Sequence, residues 1–350
     1  MPTLASDVLT GFAAEIFERG GVPAPVAAVV ARSLVLANLK GHDSHGVIRI
    51  PEYLDWMQRG WVNPNGKLEL VREQTGILIL DGHFGFGQVI GRDAMQLAIP
   101  RALRDGICVV SLRRSGHLGR VGEFMEMAAD AGLVAFGLTN THGGGVLVAP
   151  HGGCERRLSA NPIVGGAPMV DSASLIMDLS TSTTAEGKIK VARNRREHMT
   201  AGLFVNGQGK PSTDPEEYYG EPPGALLPMS GHKGFALSLF CEVFAGALTG
   251  AGCSKPGPQP VANGFMAFLL NPQTFSGTEF FQSELFALAA FVKSSRLMEN
   301  FDSIQFPGEP EAETFRERSR TGIPIDAGTW DKICQTASFL KLELPDEVAG

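Results

Sequence analysis

Residues 67–95 read KLELVREQTGILILDGHFGFGQVIGRDAM. The first part, KLELVREQTGILILDG, alternates apolar and polar positions and predicts a β-hairpin. Directly after it, Gly85-x-Gly87-x-x-x-Gly91 opens a predicted helix and approaches the glycine fingerprint of a dinucleotide-binding turn. Such a turn uses glycines so that backbone N–H groups can come close to a pyrophosphate at a helix N-terminus. Two features argue against that use here. The fingerprint belongs to a parallel βαβ unit, whereas this strand belongs to a hairpin. The next strand ends in Arg113-Arg114 instead of the acidic residue that would hold a ribose. The glycines are therefore read as a turn, and the lobe as α/β without a Rossmann site.

Outward from this stretch the texture changes in both directions. Before it, apolar residues at helical spacing predict helices from a Ser6 cap to about Arg19, across APVAAVVARSLVLANLK, and from about Ser44 to Arg59, stopped by Gly60. After it come a predicted helix (88–105), the strand GICVVSLRR, a helix (119–131) and the strand GLVAFGLTN. SLIMDLS and GFMAFLLN are strand-like, and 233–249 and 278–295 are helical. Alternating strands and helices predict an α/β lobe. The last fifty residues return to helices around EPEAETFRERSRTGIPIDAGTWDKICQTASFL. The expected organisation is a helical lobe, 1–65 with 300–350, around a central α/β lobe, 66–299.

Composition narrows the function. The 350-residue chain is 43% hydrophobic and 19% charged, with a formal net charge of −7, which gives no footprint for nucleic acid. Its densest basic run, ARNRREH (192–198), is brief, precedes an acidic segment and is expected to be a solvated loop. Five scattered cysteines without a C-x-x-C pair fit free thiols in a reducing cytosol. No export signal is visible, and the longest apolar stretch, FALSLFCEVFAGALTGAG, contains Glu242 and reads as a buried core helix. The expectation is a soluble cytoplasmic protein.

Proton-handling groups concentrate in NLKGHDSHGVIRIPEYL, 38–54. On a helix starting near Ser44, His45 and Arg49 would share a face. A guanidinium beside an imidazole suits an anionic substrate, one gripping a carboxylate and the other moving a proton. Asp43 or Ser44 could equally be a plain N-cap. His42 and His45 lack the partner pattern of a zinc site, so no metal is expected. THGGGV (141–146) has the look of a lipase oxyanion loop, yet no G-x-S-x-G elbow accompanies it. His117 follows a strand and precedes a helix, where α/β sites collect. Asp178 ends a strand, His232 and Lys233 stand before the long apolar helix, and Glu309 sits in the rigid turn FPGEPE, where a ribose hydroxyl is a natural partner.

Taken in order, GHDSHGVIRIPEY, DGHFGFGQV, GHLGRVGEF, NPIVGGAP, MDLSTSTTAEGKI, GHKGFALSLFCEV, PGEPE and GIPIDAGTW resemble the malate/L-lactate dehydrogenase family, which is distinct from the Rossmann-type lactate and malate dehydrogenases. The resemblance runs nearly end to end and is greatest to bacterial hydroxycarboxylate dehydrogenases. It implies a non-Rossmann nicotinamide-binding α/β lobe plus a helical lobe built from both termini, as in L-sulfolactate dehydrogenase, and a homodimer. It also implies NAD, or NADP, as cofactor and a small anionic 2-hydroxy acid or 2-oxo acid as substrate. His117 stands where the family's proton acceptor stands, Ser44 and His45 match a proton-relay pair of imine-reducing members, and Arg49 matches the carboxylate clamp. Thr141, Asp178, Leu179, Ser180, Lys233, Gly308, Glu309 and Pro310 fall on cofactor-contacting positions. Ala160-Asn161-Pro162 departs from the family's Thr-Asn-Pro. Arg195 and Arg196 could meet a 2′-phosphate or be an exposed loop. A reductase of cyclic imino acids and a non-catalytic dinucleotide-binding protein are the alternative readings.

Overall fold

The computed structural model describes residues 2–142, 145–169, 172–257 and 260–345. The opening stretch forms the expected hairpin, β1 (Glu69–Gln74) with β2 (Ile77–Asp81), antiparallel with Gln74 opposite Ile77. A parallel βαβ unit is nevertheless present. β2 runs on through α4 (Gly87–Asp105) to β3 (Ile107–Ser115) and pairs with it in parallel, Ile77 opposite Val109. The hairpin therefore does not exclude a dinucleotide turn; the packing of the glycines does. A Cβ on Gly85 would lie 2.6 Å from the Gly66 carbonyl oxygen, and one on Gly87 2.2 Å from the His117 carbonyl oxygen. These glycines let two chain segments touch, which leaves no room for phosphate between them. Asp81, fully buried, ends β2 and accepts from the Arg113 and Arg114 guanidiniums at 2.8 Å each.

The main sheet has the order β1-β2-β3-β7-β4-β5-β6, where β4 is Val134–His142, β5 Ile163–Ala167, β6 Leu175–Leu179 and β7 Ala262–Leu270. All pairs except β2–β3 are antiparallel. α4 and α5 (Gly122–Asp130) cover one face, burying Ile90, Met95, Phe124 and Met125 against Leu80, Val110, Phe265 and Leu269. Each such side chain contributes about 1.5–3 kcal/mol of burial. The other face packs through Leu138, Ile163 and Phe268 against Cys241 and Phe244.

A separate apolar core joins both ends of the chain. α1 (Ser6–Arg19), α2 (Ala24–Leu39) and α3 (Ile50–Gln58) share Leu9, Phe17, Leu34, Ile50 and Tyr53 with Trp330 and Ile333 of the C-terminal helix Ala327–Phe339. Thr3–Leu4 pairs antiparallel with Ile323–Pro324, which pins the two ends together. Ser6 is the first helical residue instead of the cap; Ala5 holds that position without a side-chain bond. Phe86, from the start of the glycine turn, also enters this core, so the two lobes interlock at the hairpin.

Two further features depart from expectation. The basic run 192–198 is not all loop: α6 (Glu186–Arg195) ends within it, with an acid in its first turn and arginines in its last, as the helix dipole favours. α6 belongs to a third small core of Val148, Leu158, Ile189, Phe204, Tyr218 and Leu226. The apolar helix expected to be buried is α7 (His232–Cys241) running into a π-turn, Glu242–Leu248, and one side of it is open: Phe240 is 58% exposed and Val243 53%. α8 (Thr278–Lys293) buries none of its residues. Among the described residues no helix is long and apolar enough to cross a membrane.

Candidate active site

The segment 42–49 is not the start of an α-helix. Asp43–His45 and Val47–Arg49 form two 3₁₀ turns, and α3 begins only at Ile50, where Pro51 occupies its first turn. The cause is Asn38, at the end of α2. Its Nδ2 donates to Asp43 Oδ1 at 2.6 Å and its Oδ1 accepts from the Val47 N–H at 2.8 Å. A buried amide that takes these groups competes with helical pairing. Gly46 must be glycine here, since a Cβ would lie 2.1 Å from Asn38 Oδ1. Asp43 is not an N-cap either; it binds Asn38 and Arg318, the latter at 2.7 Å.

This bend brings His45 against His117 and Arg49 within electrostatic reach of both imidazoles. The His45 and His117 rings stack at 5.5 Å with 16° between their planes. Tyr53 OH lies 2.7 Å from His117 Nδ1, accepts from Gln88 Nε2 at 2.9 Å, and Trp56 stands edge-on to the same imidazole. With Nδ1 engaged, Nε2 is the nitrogen left for a ligand. Arg49 donates from Nε to the Ser44 carbonyl oxygen at 2.7 Å and from Nη1 to Glu52, which leaves Nη2 without a partner among the described residues. Ser44 also meets the start of α6, where a Cβ on Gly187 would stand 3.1 Å from Ser44 Cβ.

Electrostatics follow from enclosure. Burial, then Arg49 and His45, hold His117 well below the ordinary histidine range. Burial, then Arg49 and His42, bring His45 down to about 3. Both imidazoles are neutral at neutral pH, and His45 Nδ1 is buried with no hydrogen-bond partner among the described residues. Such an orphan costs about 1–3 kcal/mol unless something pairs with it.

The residues expected to contact a cofactor lie near the two ends of β6, with Thr141 on β4 and Lys233 on α7. Asp178 accepts from the Gly122 N–H at 2.7 Å, so it caps α5, and burial pushes its carboxyl up. Leu179 ends the strand, and Ser180 Oγ donates to the Ala160 carbonyl oxygen at 3.1 Å. Thr141 donates its N–H to Asn161 Oδ1 at 3.1 Å. Residues 143–144 of the THGGGV stretch lie outside the described residues. Lys233 is exposed in the first turn of α7, which docks near Thr181 through Gly234. Gly308 packs on Ile176 at the opposite end of β6, its φ of +99° suited to glycine, and Glu309 and Pro310 open the next helix there. The Glu309 carboxylate accepts from the Phe306 N–H at 2.8 Å and pairs with Lys293, which holds it below the usual carboxylate range. From Ile176 to Ser180 the strand spans roughly 13 Å. A cavity of about 790 Å³ opens beside Glu309 and Lys293 and also touches Lys40, Glu126 and Arg316. Arg195 and Arg196 are exposed at the far end of α6 from Ser44.

Sequence reasoning missed Tyr53, Trp56 and Gln88. Tyr53 lies one helical turn after Arg49, and Gln88 follows the last glycine of the turn; both spacings were visible, but nothing local shows that they converge on His117. Tyr53→Phe is expected to lower kcat about 10-fold with little change in KM, because it unpairs His117 Nδ1 without touching the substrate face. Steady-state kinetics check this, and an unchanged kcat would make the contact incidental.

Residues 4–334 match the family described as malate/L-lactate dehydrogenase. The L-lactate dehydrogenase of Cupriavidus necator is 37% identical, over 95% of this chain and 96% of its own. Hydroxycarboxylate dehydrogenase B of Escherichia coli is 35% identical, over 98% and 95%. The solved sulfolactate dehydrogenase of Methanocaldococcus jannaschii superposes with a TM-score of 0.86 at 31% identity, covering 98% of each chain. The chain therefore belongs to the malate/L-lactate dehydrogenase family.

Proposed function

We propose that this enzyme transfers hydride reversibly between a nicotinamide dinucleotide and a small 2-hydroxy acid, with His117 as the proton acceptor and Arg49 as the carboxylate clamp. The observation that carries the reading is a neutral imidazole, held at Nδ1 by Tyr53 and stacked on His45, that feels the charge of a guanidinium whose Nη2 has no partner among the described residues. The central lobe, 66–299, would carry the cofactor along β6, and the helical lobe, 1–65 with 300–350, the substrate clamp. A dinucleotide fits the residues present. Glu309 offers a ribose diol its acceptor oxygens beside a cavity of the size ligands occupy, and the orphaned His45 Nδ1 is a polar atom next to His117 that still lacks a partner among the described residues. When bound, the nicotinamide supplies or accepts the hydride.

The chain's own residues do the rest. Arg49 Nη2 binds one carboxylate oxygen and sets the substrate's C2 next to His117. His117 Nε2 accepts the hydroxyl proton as the C–H bond breaks, and Tyr53 keeps the ring in place. In reduction the same nitrogen returns a proton to the carbonyl oxygen. Ser44 and His45 form a second proton-handling pair, with the His45 ring stacked on His117. NAD is favoured over NADP, because the Glu309 carboxylate would oppose a 2′-phosphate. The open phenylalanines Phe280, Phe286 and Phe291 on α8, with Phe240 on α7, support a homodimer, which light scattering would register as twice the chain mass. Free cysteines support a cytoplasmic setting.

The deciding experiment is a panel of 2-oxo acids and cyclic imines assayed in parallel with NADH and NADPH. Turnover of 2-oxo acids with NADH is expected. Turnover confined to cyclic imines, or NADH binding with no turnover at all, would overturn the assignment.

A further inference from the structure

The π-turn carries a buried acid that the proposed chemistry does not use. Glu242 is 6% exposed, and its carboxylate accepts four hydrogen bonds, all from neutral groups. Oε1 takes Asn161 Nδ2 at 2.9 Å and Ser254 Oγ at 2.8 Å; Oε2 takes the Ser254 N–H at 2.9 Å and Asn140 Nδ2 at 3.2 Å. Two branches lead from it to the site. Asn161, held at φ +26°, accepts the Thr141 N–H through Oδ1. Asn140 passes its backbone oxygen to Asn263 Nδ2 at 3.0 Å. That Nδ2 also reaches Thr141 Oγ1 at 2.9 Å, while Asn263 Oδ1 accepts the N–H of Leu118, the residue after His117, at 2.8 Å.

We propose that Glu242 is a positioning residue whose carboxylate sets, through Asn161 and Asn140, the place of Thr141 and of the His117–Leu118 loop. Four donors converge on it, and only an acceptor with about four lone-pair sites satisfies them all. Asparagine amides could rotate by 180°; the carboxylate at their meeting point, together with the Gly252 carbonyl beside Asn140 and the Ser238 carbonyl beside Asn161, opposes it, because each Nδ2 faces only acceptors there. The orientation of Asn161 then fixes an acceptor under the Thr141 amide, and that of Asn140 turns Oδ1 to the N–H of Gly264, the residue after Asn263, at 3.1 Å. Buried networks of this kind act as a unit, so an error at one end is felt at the other. π-turns recur where a helix must re-aim a side chain at a functional site. This assignment rests on the reading that His117 and Thr141 flank substrate and cofactor.

The test uses Glu242→Gln, Asn161→Asp and their combination in the full-length protein. Glutamine keeps one acceptor oxygen for Asn140 and the Ser254 N–H, but turns an NH₂ toward Asn161 Nδ2. Asn161→Asp alone sets two buried carboxylates face to face. Together the substitutions restore the bond with reversed polarity: the new amide at position 242 donates to the new carboxylate at position 161, which still accepts the Thr141 N–H. In the cofactor-free protein, amide hydrogen exchange at Leu118 and Thr141 is expected to quicken on the order of 10-fold or more in each single variant and to return within about 3-fold of wild type in the pair. kcat with NADH and the best 2-oxo acid is expected to follow the same pattern, with KM for the acid within about 3-fold throughout, since Arg49 lies off the network. Wild-type exchange and kcat in folded Glu242→Gln would overturn the proposal, as would additive losses in the pair. If Glu242→Gln does not fold, the recovery of Asn161→Asp on adding it decides the matter. Failure of the functional reading is separate: the wild type would then turn over no acid, while the exchange pattern would still test Glu242.

Discussion

Replacing His117 by alanine is expected to lower kcat by about 10²–10⁴-fold, the range of a lost general acid–base group, with NADH affinity nearly unchanged. Affinity is spared because none of the candidate cofactor residues on β6 and in the 306–310 turn hydrogen-bonds the imidazole among the described residues. The pH dependence has a defined sign. Burial, Arg49 and His45 all disfavour the imidazolium, so the free enzyme keeps His117 neutral well below pH 6.5. Oxidation needs the neutral base, and its kcat/KM is expected to stay flat as pH falls from about 8 through 6.5. Reduction needs the proton, and its kcat/KM should rise toward acid over the same interval. Initial rates in both directions check this. An oxidation limb centred on 6.5 would contradict the depressed imidazole, and wild-type turnover by His117→Ala would remove the residue from the mechanism.

Much of this site was legible in the sequence, but not its geometry. His45, Arg49 and His117 could be singled out by residue type and by place after helices and strands, because catalytic groups collect at such junctions. Periodicity nevertheless predicted one helix across Ser44–Arg59, and the structure has two 3₁₀ turns. The deciding group, the Asn38 side chain, acts across nine residues on Val47, and no periodic signal reports that. The glycine turn shows the same gap. A hairpin was legible from alternation, yet the parallel β2–β3 pair was not, since strand pairing is non-local. The tight fit of Gly87 on the His117 carbonyl is likewise visible only once both segments are placed. β7 lies between β3 and β4 although it follows them by more than a hundred residues. The charged run 192–198 suggests a solvated loop by composition alone, whereas α6 ends within it and its apolar contact, Ile189, belongs to a core assembled from scattered short strands. The apolar composition of α7 signals burial correctly on its sheet side, but composition does not say whether the partner lies in the same chain. Tyr53 belongs to the helical core, and its hydroxyl is what reaches His117.

Arg49→Ala is expected to reduce kcat/KM for the acid substrate by about 10²–10³-fold, equivalent to about 3–4 kcal/mol, the scale for losing one partner of a buried charge pair. Lysine should recover little of it. The Arg49 fork uses Nε and Nη1 to brace itself on the Ser44 carbonyl and Glu52 while Nη2 is left without a partner among the described residues, and an ammonium cannot both brace itself in this way and bind a carboxylate. A purely structural arginine would also hurt when removed, so a second readout is needed. Arg49 is among the charges that press both histidines toward the neutral form. Its removal must raise the His117 pKa, and the acid limb of the oxidation profile should move up in pH, toward the ordinary histidine value. Glu52 is exposed enough to be resolvated when its partner goes, so the shift is not masked by a stranded buried carboxylate. A neutral, carboxamide-bearing substrate analogue should lose far less than the acid does in the variant. If kcat/KM for the acid is unchanged, or if acid and amide fall together with no movement of the acid limb, Arg49 does not face the substrate, and the carboxylate must bind another cation.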